Sequence, residues 1–391
     1  MMRRIKRYFD AAVRLLRLGF LFIFDTLVLL SNRRKTSRPE GAIFCLHGWG
    51  DLLLAGHTVT QLAAHLRARG LQAVLFVHPD HVEFAHRYFD VDAVEGIDRH
   101  LLTRKYFYRA QTLKKLAGRF AIALQPTYNR MSRVEDALMR ATGAKEKIGT
   151  IGHAPFILPL ERKVGDPIYT QLIPAQPVAM HELLRNAEFL AGLGISSPAQ
   201  PWRIYHREPP AKQMPLVGRS YFVIAANASD QRRSWSSDNF LRAARKIAMQ
   251  HQLAIVIIGN QHDQSPASCS EIPKSEPELI DLRGQTSACD LVAVIAHAEL
   301  IICNDSGVYH LGVSLNRPTL AVGGSGLPAR YFPYPDESAL RTKVLFHPVP
   351  CAGCNWRCLY TPSRSETAWC IQQITWPEVV AAAGQLLQHR N

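Results

Sequence analysis

The sequence predicts an α/β protein built from two Rossmann-like, doubly wound parallel-sheet domains facing a cleft, with an N-terminal amphipathic helix in front of them. Three stretches carry that prediction. Glu299 to Gly326 reads as an apolar strand (Leu300 to Cys303), a turn of small and polar residues, a helix, and a second apolar run from Thr319 to Val322, which is the repeating unit of a parallel sheet. Gly41 to Asp80 reads as a strand, a glycine-rich turn, a helix spaced through Leu62, Leu66 and Leu71, and a strand from Ala73 to Val77, a βαβ opening. Between the two halves, residues 196–218 hold five prolines without periodicity, as an interdomain linker does.

Length and charge narrow the function classes. A chain of 391 residues exceeds one common core and fits about two domains of about 150 to 180 residues. The formal charge of +14 calls for an anionic partner: a phosphorylated substrate, an acidic membrane surface or nucleic acid. No zinc-finger spacing or RNP-type aromatic strand occurs, so nucleic acid is not the expected partner. Cys45, Cys269, Cys289 and Cys303 are scattered, and the composition is not that of a disulfide-rich secreted protein; the reducing cytoplasm is the expected compartment.

Taken in order, residues 1–36 wind into a helix with Arg3, Arg7, Asp10, Arg14, Arg17 and Asp25 on one narrow stripe and Leu, Phe, Ile and Val elsewhere. That pattern fits a helix lying on a membrane surface better than a span, which would bury those charges in hydrocarbon. Both flanks are basic and no small-residue cleavage site follows. Docking on the protein's own surface is the competing reading. The first domain, 37–200, continues with apolar runs at Ala93–Ile97, Ala121–Leu124 and Lys147–Thr150. Arg99, Arg104, Lys105, Arg109, Lys114 and Lys115 lie between them, interleaved with aromatics. This basic segment is either a solvated helix face or a site for an anionic acceptor. After a linker at 201–218, the second domain, 219–345, opens with the strand Tyr221–Ala226. The loop NASDQRRSW, a helix and the strand Leu253–Ile258 follow. Residues 346–391 form a cysteine-rich segment and a last helix, TWPEVVAAAGQLLQH.

Six motifs carry chemistry. HGWGD (47–51) places a half-loop of glycines after the first strand. An H-G-x-G oxyanion loop of hydrolases would need a G-x-S-x-G elbow, which is absent. Asp51 is otherwise expected as the N-cap of its helix. NASDQRRSW (227–235) offers Ser229, Arg232 and Arg233, and arginine's fork matches phosphate oxygens. IIGNQHDQS (257–265) offers Asp263, and LRGQTSACDL (282–291) offers Thr286 and Ser287, the latter also a natural helix cap. D-S-G-x-x-H (305–310) sets Asp305, Ser306, Gly307 and His310 at a helix N-terminus, where backbone amides and the dipole favour phosphate. Cys351, Cys354, Cys358 and Cys370 could hold structural zinc or iron, or form two disulfides, or remain free.

In their order and spacing these motifs resemble the glycosyltransferase family 9 heptosyltransferases of bacterial lipopolysaccharide core assembly, over roughly residues 41 to 390. The resemblance implies a GT-B fold and an inverting transfer of a sugar, most often heptose from ADP-heptose, to an anionic lipid-linked saccharide acceptor. It implies no cofactor for catalysis. Asp51 matches the family's general base and Gly50 the glycine before it, although Ala55, Gly56 and His57 stand where the family usually has a proline. Gly50, Arg104, Lys105 and Arg109 would serve the acceptor. Ser229, Arg232 or Arg233, Asp263, Thr286, Ser287, Asp305, Ser306, Gly307 and His310 would serve the nucleotide-diphosphate donor. The last helix would cross back to the first domain. The enzyme would work in the cytoplasm, peripheral on the inner face of the membrane. A protein (autotransporter) acceptor, a sugar-nucleotide epimerase or hydrolase on the same fold, and a noncatalytic membrane-bound scaffold are the rival readings.

Overall fold

The computed structural model describes residues 2–31, 39–152, 157–210, 214–260, 277–327, 329–335, 340–361, 363 and 365–388. The chain divides into two compact units, one of residues 1–178 with 183–200 and one of residues 179–182 with 201–391.

The first unit opens with helix α1 (Met2–Leu30) and holds a six-stranded, wholly parallel sheet in the order β3-β2-β1-β4-β5-β6. Its strands are β1 (Glu40–Phe44), β2 (Gln72–Val77), β3 (Ala93–Gly96), β4 (Ile122–Gln125), β5 (Glu146–Thr150) and β6 (Gln171–Ile173). Between them run α2 (Trp49–Ala68), α3 (Val82–Tyr88), α4 (Arg99–Arg104), α5 (Tyr106–Leu116), α6 (Ala137–Ala141) and α7 (Pro159–Gly165), with α8 (Glu182–Gly192) after β6. Strands buried on both faces read as continuous apolar runs, which is why β1, β2 and β4 are legible in sequence. Gly41 is needed in β1 because a Cβ there would come within 2.5 Å of Leu66, so its absence lets α2 lie directly on the sheet. The core on one face is built from Phe44, Phe76, Leu113, Phe120 and Leu138.

The second unit repeats the plan with the order β12-β11-β10-β7-β8-β9, again parallel throughout. The strands are β7 (Tyr221–Ala225), β8 (Ala254–Ile257), β9 (Leu279–Asp281), β10 (Ile301–Asn304), β11 (Thr319–Val322) and β12 (Thr342–Leu345). Its helices are α9 (Ser237–His251), α10 (Ala288–Ala296), α11 (Gly307–Ser314), α12 (Trp369–Gln372) and α13 (Trp376–Gln388). One expectation is corrected here. Helix α13 does not leave this unit: it packs on α9, β11 and β12, and Val379, Ala382, Ala383 and Leu387 enter the same core as Phe222, Phe240 and Ile302. The apolar face of α13 is consumed there, so residues 346–388 form part of the second unit's core.

Candidate functional site

In a doubly wound sheet, ligands bind beyond the carboxyl ends of the strands where the strand order changes direction. In the second unit that point lies between β7 and β10, and the two loops there are the NASDQRRSW and D-S-G-x-x-H segments. Asn304, the fully buried last residue of β10, latches them together: its Oδ1 accepts from the Trp235 amide at 2.9 Å and its Nδ2 donates to the Ala226 carbonyl. Sequence reading passed over Asn304, although a polar residue closing an apolar strand was the available signal. Asp305 is buried and faces Arg233 at 3.6 Å. Burial outweighs that cation and lifts the carboxyl above its ordinary value. Arg233 Nη2 also donates to Ser229 Oγ at 2.5 Å.

Ser306 takes the N-cap position of α11 but makes no capping bond. Among the described residues its Oγ is buried without a hydrogen-bond partner, an arrangement that leaves a donor and acceptor waiting at the end of a helix whose first amides have no intrahelical acceptor. Gly307 begins the helix, and Gly312 lets it lie tight on β11, where a Cβ would meet Thr319 Oγ1 at 2.2 Å. Ser229, Arg233, Asp305, Ser306 and Gly307 are thus brought together.

The other donor-side candidates fall differently. Arg232 is spent within the unit, on both oxygens of Asp230 and on the Trp356 carbonyl. Ser287 caps α10 in a reciprocal box with Asp290, at 3.1 and 3.0 Å, and Thr286 sits half-buried beside it. Asp263 lies outside the described residues. His310 is turned into the protein, its Nδ1 2.8 Å from the Tyr334 hydroxyl and its ring against Tyr309.

Tyr334 also stacks on His181 at 4.8 Å, whose Nε2 meets the Tyr331 carbonyl at 3.0 Å. Burial pushes His181 down to about 4 and His310 down to about 3, so both are neutral when folded. Unfolding lets them take protons below about 6.5. The stability they permit is complete above that value and is lost as pH falls toward their folded pKa values, at about 1.4 kcal/mol per pH unit per histidine. Melting temperatures measured between pH 7 and pH 5 are expected to decline accordingly. His310→Gln should remove about half of the slope, and an unchanged slope would contradict this account.

In the first unit the change of direction lies between β1 and β4. Asp51 is not the helix cap: Gly48 is, and Asp51 stands in the first turn of α2, one residue after the half-buried Gly50. It is half-buried, with Oδ2 3.7 Å from where a Cβ on Gly48 would sit. Its charge, after burial, helps push the Cys45 thiol at the end of β1 up to about 12, which places the carboxylate at the carboxyl end of the sheet. Arg104 and Lys105 are exposed at the junction of α4 and α5. Arg109 corrects the expectation of a surface cation: it is 1% exposed and bound to Asp25 of α1 through two bonds of 2.6 and 2.5 Å.

Cys351, Cys354, Cys358 and Cys370 are free thiols that line one small pocket with Trp356 and Trp369. Burial first, then neighbouring thiols of the set, raises Cys358 and Cys370. Cysteine sulfur is the donor type that a soft cation such as zinc or iron takes. Among the described residues, no group of three or more His, Cys, Asp or Glu side chains is arranged to hold a metal ion.

The sequence profile described as "Glycosyltransferase family 9 (heptosyltransferase)" matches residues 133–351, more than half of the chain. The chain belongs to glycosyltransferase family 9. Lipooligosaccharide heptosyltransferase 2 of Haemophilus influenzae is 26% identical over 133 residues, 33% of this chain and 36% of that protein. The chain thus matches about a third of that relative's length, and 48% of lipopolysaccharide heptosyltransferase 3 of Escherichia coli. Among solved structures, E. coli ADP-heptose lps heptosyltransferase II has the same fold with a TM-score of 0.63 at 13% identity, over 89% of this chain and 98% of that one. TibC of enterotoxigenic E. coli, an iron-containing dodecameric glycosyltransferase, gives 0.53 at 16% identity over 92% and 78%. As a member of family 9, the chain keeps two parallel six-stranded sheets of the GT-B type.

Proposed function

We propose that this family 9 protein is an inverting glycosyltransferase that moves heptose from ADP-heptose to a lipopolysaccharide core acceptor at the cytoplasmic membrane surface, without a catalytic metal. The observation that carries the reading is the unpartnered Ser306 Oγ at the α11 N-terminus, beside Arg233 and Ser229. Charge and donors gathered at that point suit a departing diphosphate. In the reaction, Asp51 accepts the proton of the acceptor hydroxyl as its oxygen attacks the anomeric carbon. The bond from that carbon to the diphosphate breaks, its electron pair leaves with the nucleotide diphosphate, and attack from the opposite side inverts the centre. Arg233, Ser306 and the first amides of α11 hold the leaving group. Of the two arginines, Arg233 fits this task because Arg232 is committed to Asp230 and Trp356. The four cysteines share one pocket and would hold iron or zinc in a purely structural role only by drawing together from the free arrangement described above.

Incubating the protein with ADP-, GDP- and UDP-sugars and a lipopolysaccharide core acceptor tests the reading. The expected result is an acceptor-dependent glycosylated product from ADP-heptose. Free sugar released without acceptor would favour the hydrolase, and no turnover the scaffold.

Two further outcomes are expected. Arg233→Ala should weaken ADP binding about 10- to 100-fold, and Ser306→Ala several-fold, on the scale of charge-assisted and neutral hydrogen bonds; calorimetric titration with ADP measures both, and wild-type affinity in the two variants would remove the diphosphate site from this loop. For the cysteines, elemental analysis of the purified protein should find about one iron or zinc per chain, lost in Cys354→Ser together with several degrees of melting temperature.

A further inference from the structure

Helix α1 meets the first unit with the side that an interfacial helix would normally give to water. Arg14 pairs with Glu161 at 2.7 and 2.5 Å, Asp25 with Arg109, and Arg17 donates to the Thr103 carbonyl. Leu18 and Leu21 are buried beside them. The opposite side presents Leu16, Phe20, Ile23, Leu27 and Leu30, all exposed. Steps of four and three residues align them in one row along the helix. Leu16 is 76% exposed. The row continues onto the junction of α4 and α5, where Tyr106 lies edge-on to Phe20 at 5.6 Å and Phe107 is 76% exposed. The exposed cations Arg104 and Lys105 adjoin it. From Ala12 to Ser31 the only acidic residue is the buried Asp25.

We propose that this face docks directly on an anionic phospholipid bilayer, with the apolar row and Phe107 entering the interfacial region and Arg104 and Lys105 pairing with headgroup phosphates. Apolar area and local positive charge are the two contributions that hold such surfaces to lipid. A span is not an option, since among the described residues no helix is long and apolar enough to cross a membrane. A second copy of the chain is the poorer occupant. The face offers no acid to meet the cations of a partner, and each chain carries +14. Because its polar side is already bonded to the protein, α1 is a fixed part of the first unit rather than a tether that folds at the surface. This inference deepens the membrane placement in the proposed function, but its test contains neither donor nor acceptor, so transfer chemistry can fail or succeed independently.

The experiment is co-sedimentation of the full chain with vesicles of phosphatidylethanolamine and phosphatidylglycerol, against vesicles of phosphatidylcholine alone. Binding is expected to be at least tenfold stronger to the anionic vesicles, with no gain in helical circular dichroism on binding. Leu16→Gln, Ile23→Gln and Leu27→Gln together should lower vesicle affinity at least tenfold at unchanged melting temperature, since these side chains are exposed. Arg104→Ala with Lys105→Ala should lower affinity for anionic vesicles several-fold and reduce its salt dependence. Wild-type sedimentation of both variants would overturn the proposal. So would a wild-type dimer that the triple variant dissociates while neither protein pellets with lipid.

Discussion

Replacing Asp51 with asparagine is expected to lower the rate of sugar transfer by about 10² to 10⁴-fold, the range that a positioned general base contributes, while ADP affinity stays within about twofold. Asparagine keeps the size of the side chain and its place in the first turn of α2, so the fold is undisturbed, but the amide cannot take a proton from the acceptor hydroxyl. The split between rate and donor affinity is the informative part. Asp51 belongs to the first unit, whereas Arg233, Ser306 and the α11 amides belong to the second, so losing the base should leave the diphosphate contacts intact. The reverse pattern is expected for Ser306→Ala, which should weaken donor binding first. Initial rates with ADP-heptose and acceptor, measured beside ADP titrations, separate the two. Full activity in Asp51→Asn would remove this residue from the chemistry and leave the acceptor's proton to another group.

The two sheets were legible because nine of their strands are apolar runs ended by glycine or polar turns, the pattern that burial on both faces imposes. Strands β6, β9 and β12 were not foreseen: Gln171–Ile173, Leu279–Asp281 and Thr342–Leu345 lie at sheet edges, are three, three and four residues long, and have half-exposed positions, so none reads as a continuous apolar run. The residues that meet at the β7 and β10 strand ends could be nominated from DSG and QRRS alone, since small and basic residues following an apolar strand mark a loop at the carboxyl end of a sheet. Which arginine of the pair is committed to the unit's own structure was not legible, because Arg232 is taken up by Asp230 and by the carbonyl of Trp356, 124 residues away in sequence. His310 shows the same limit. Its place one turn into α11 is a local fact, but its Tyr334 partner is supplied by a distant loop. Helix α1 shows it most fully. The periodicity sets a polar stripe against an apolar face, yet which side meets the protein is decided by Glu161 and Arg109, at 147 and 84 residues' separation.

The pair of Arg109 with Asp25 should make a large contribution to the stability of the first unit. Both side chains are nearly without solvent contact, at 1% and 5%, and Arg109 also donates to the carbonyls of Leu102 and Arg133. Taking one charge away leaves the other buried and uncompensated, which costs about 3–5 kcal/mol, whereas removing both with apolar residues of similar volume is often neutral. Arg109→Met and Asp25→Leu are therefore each expected to lower the melting temperature of the first unit by about 10 °C. The double variant should recover most of that loss, though the orphaned carbonyls keep it below wild type. Thermal melts of the four proteins form a double-mutant cycle. A coupling below about 1 kcal/mol would mean that α1 is held by its apolar contacts at Leu18 and Leu21 and by the bonds of Arg14 and Arg17, and that the buried pair does not set the orientation of its outward row.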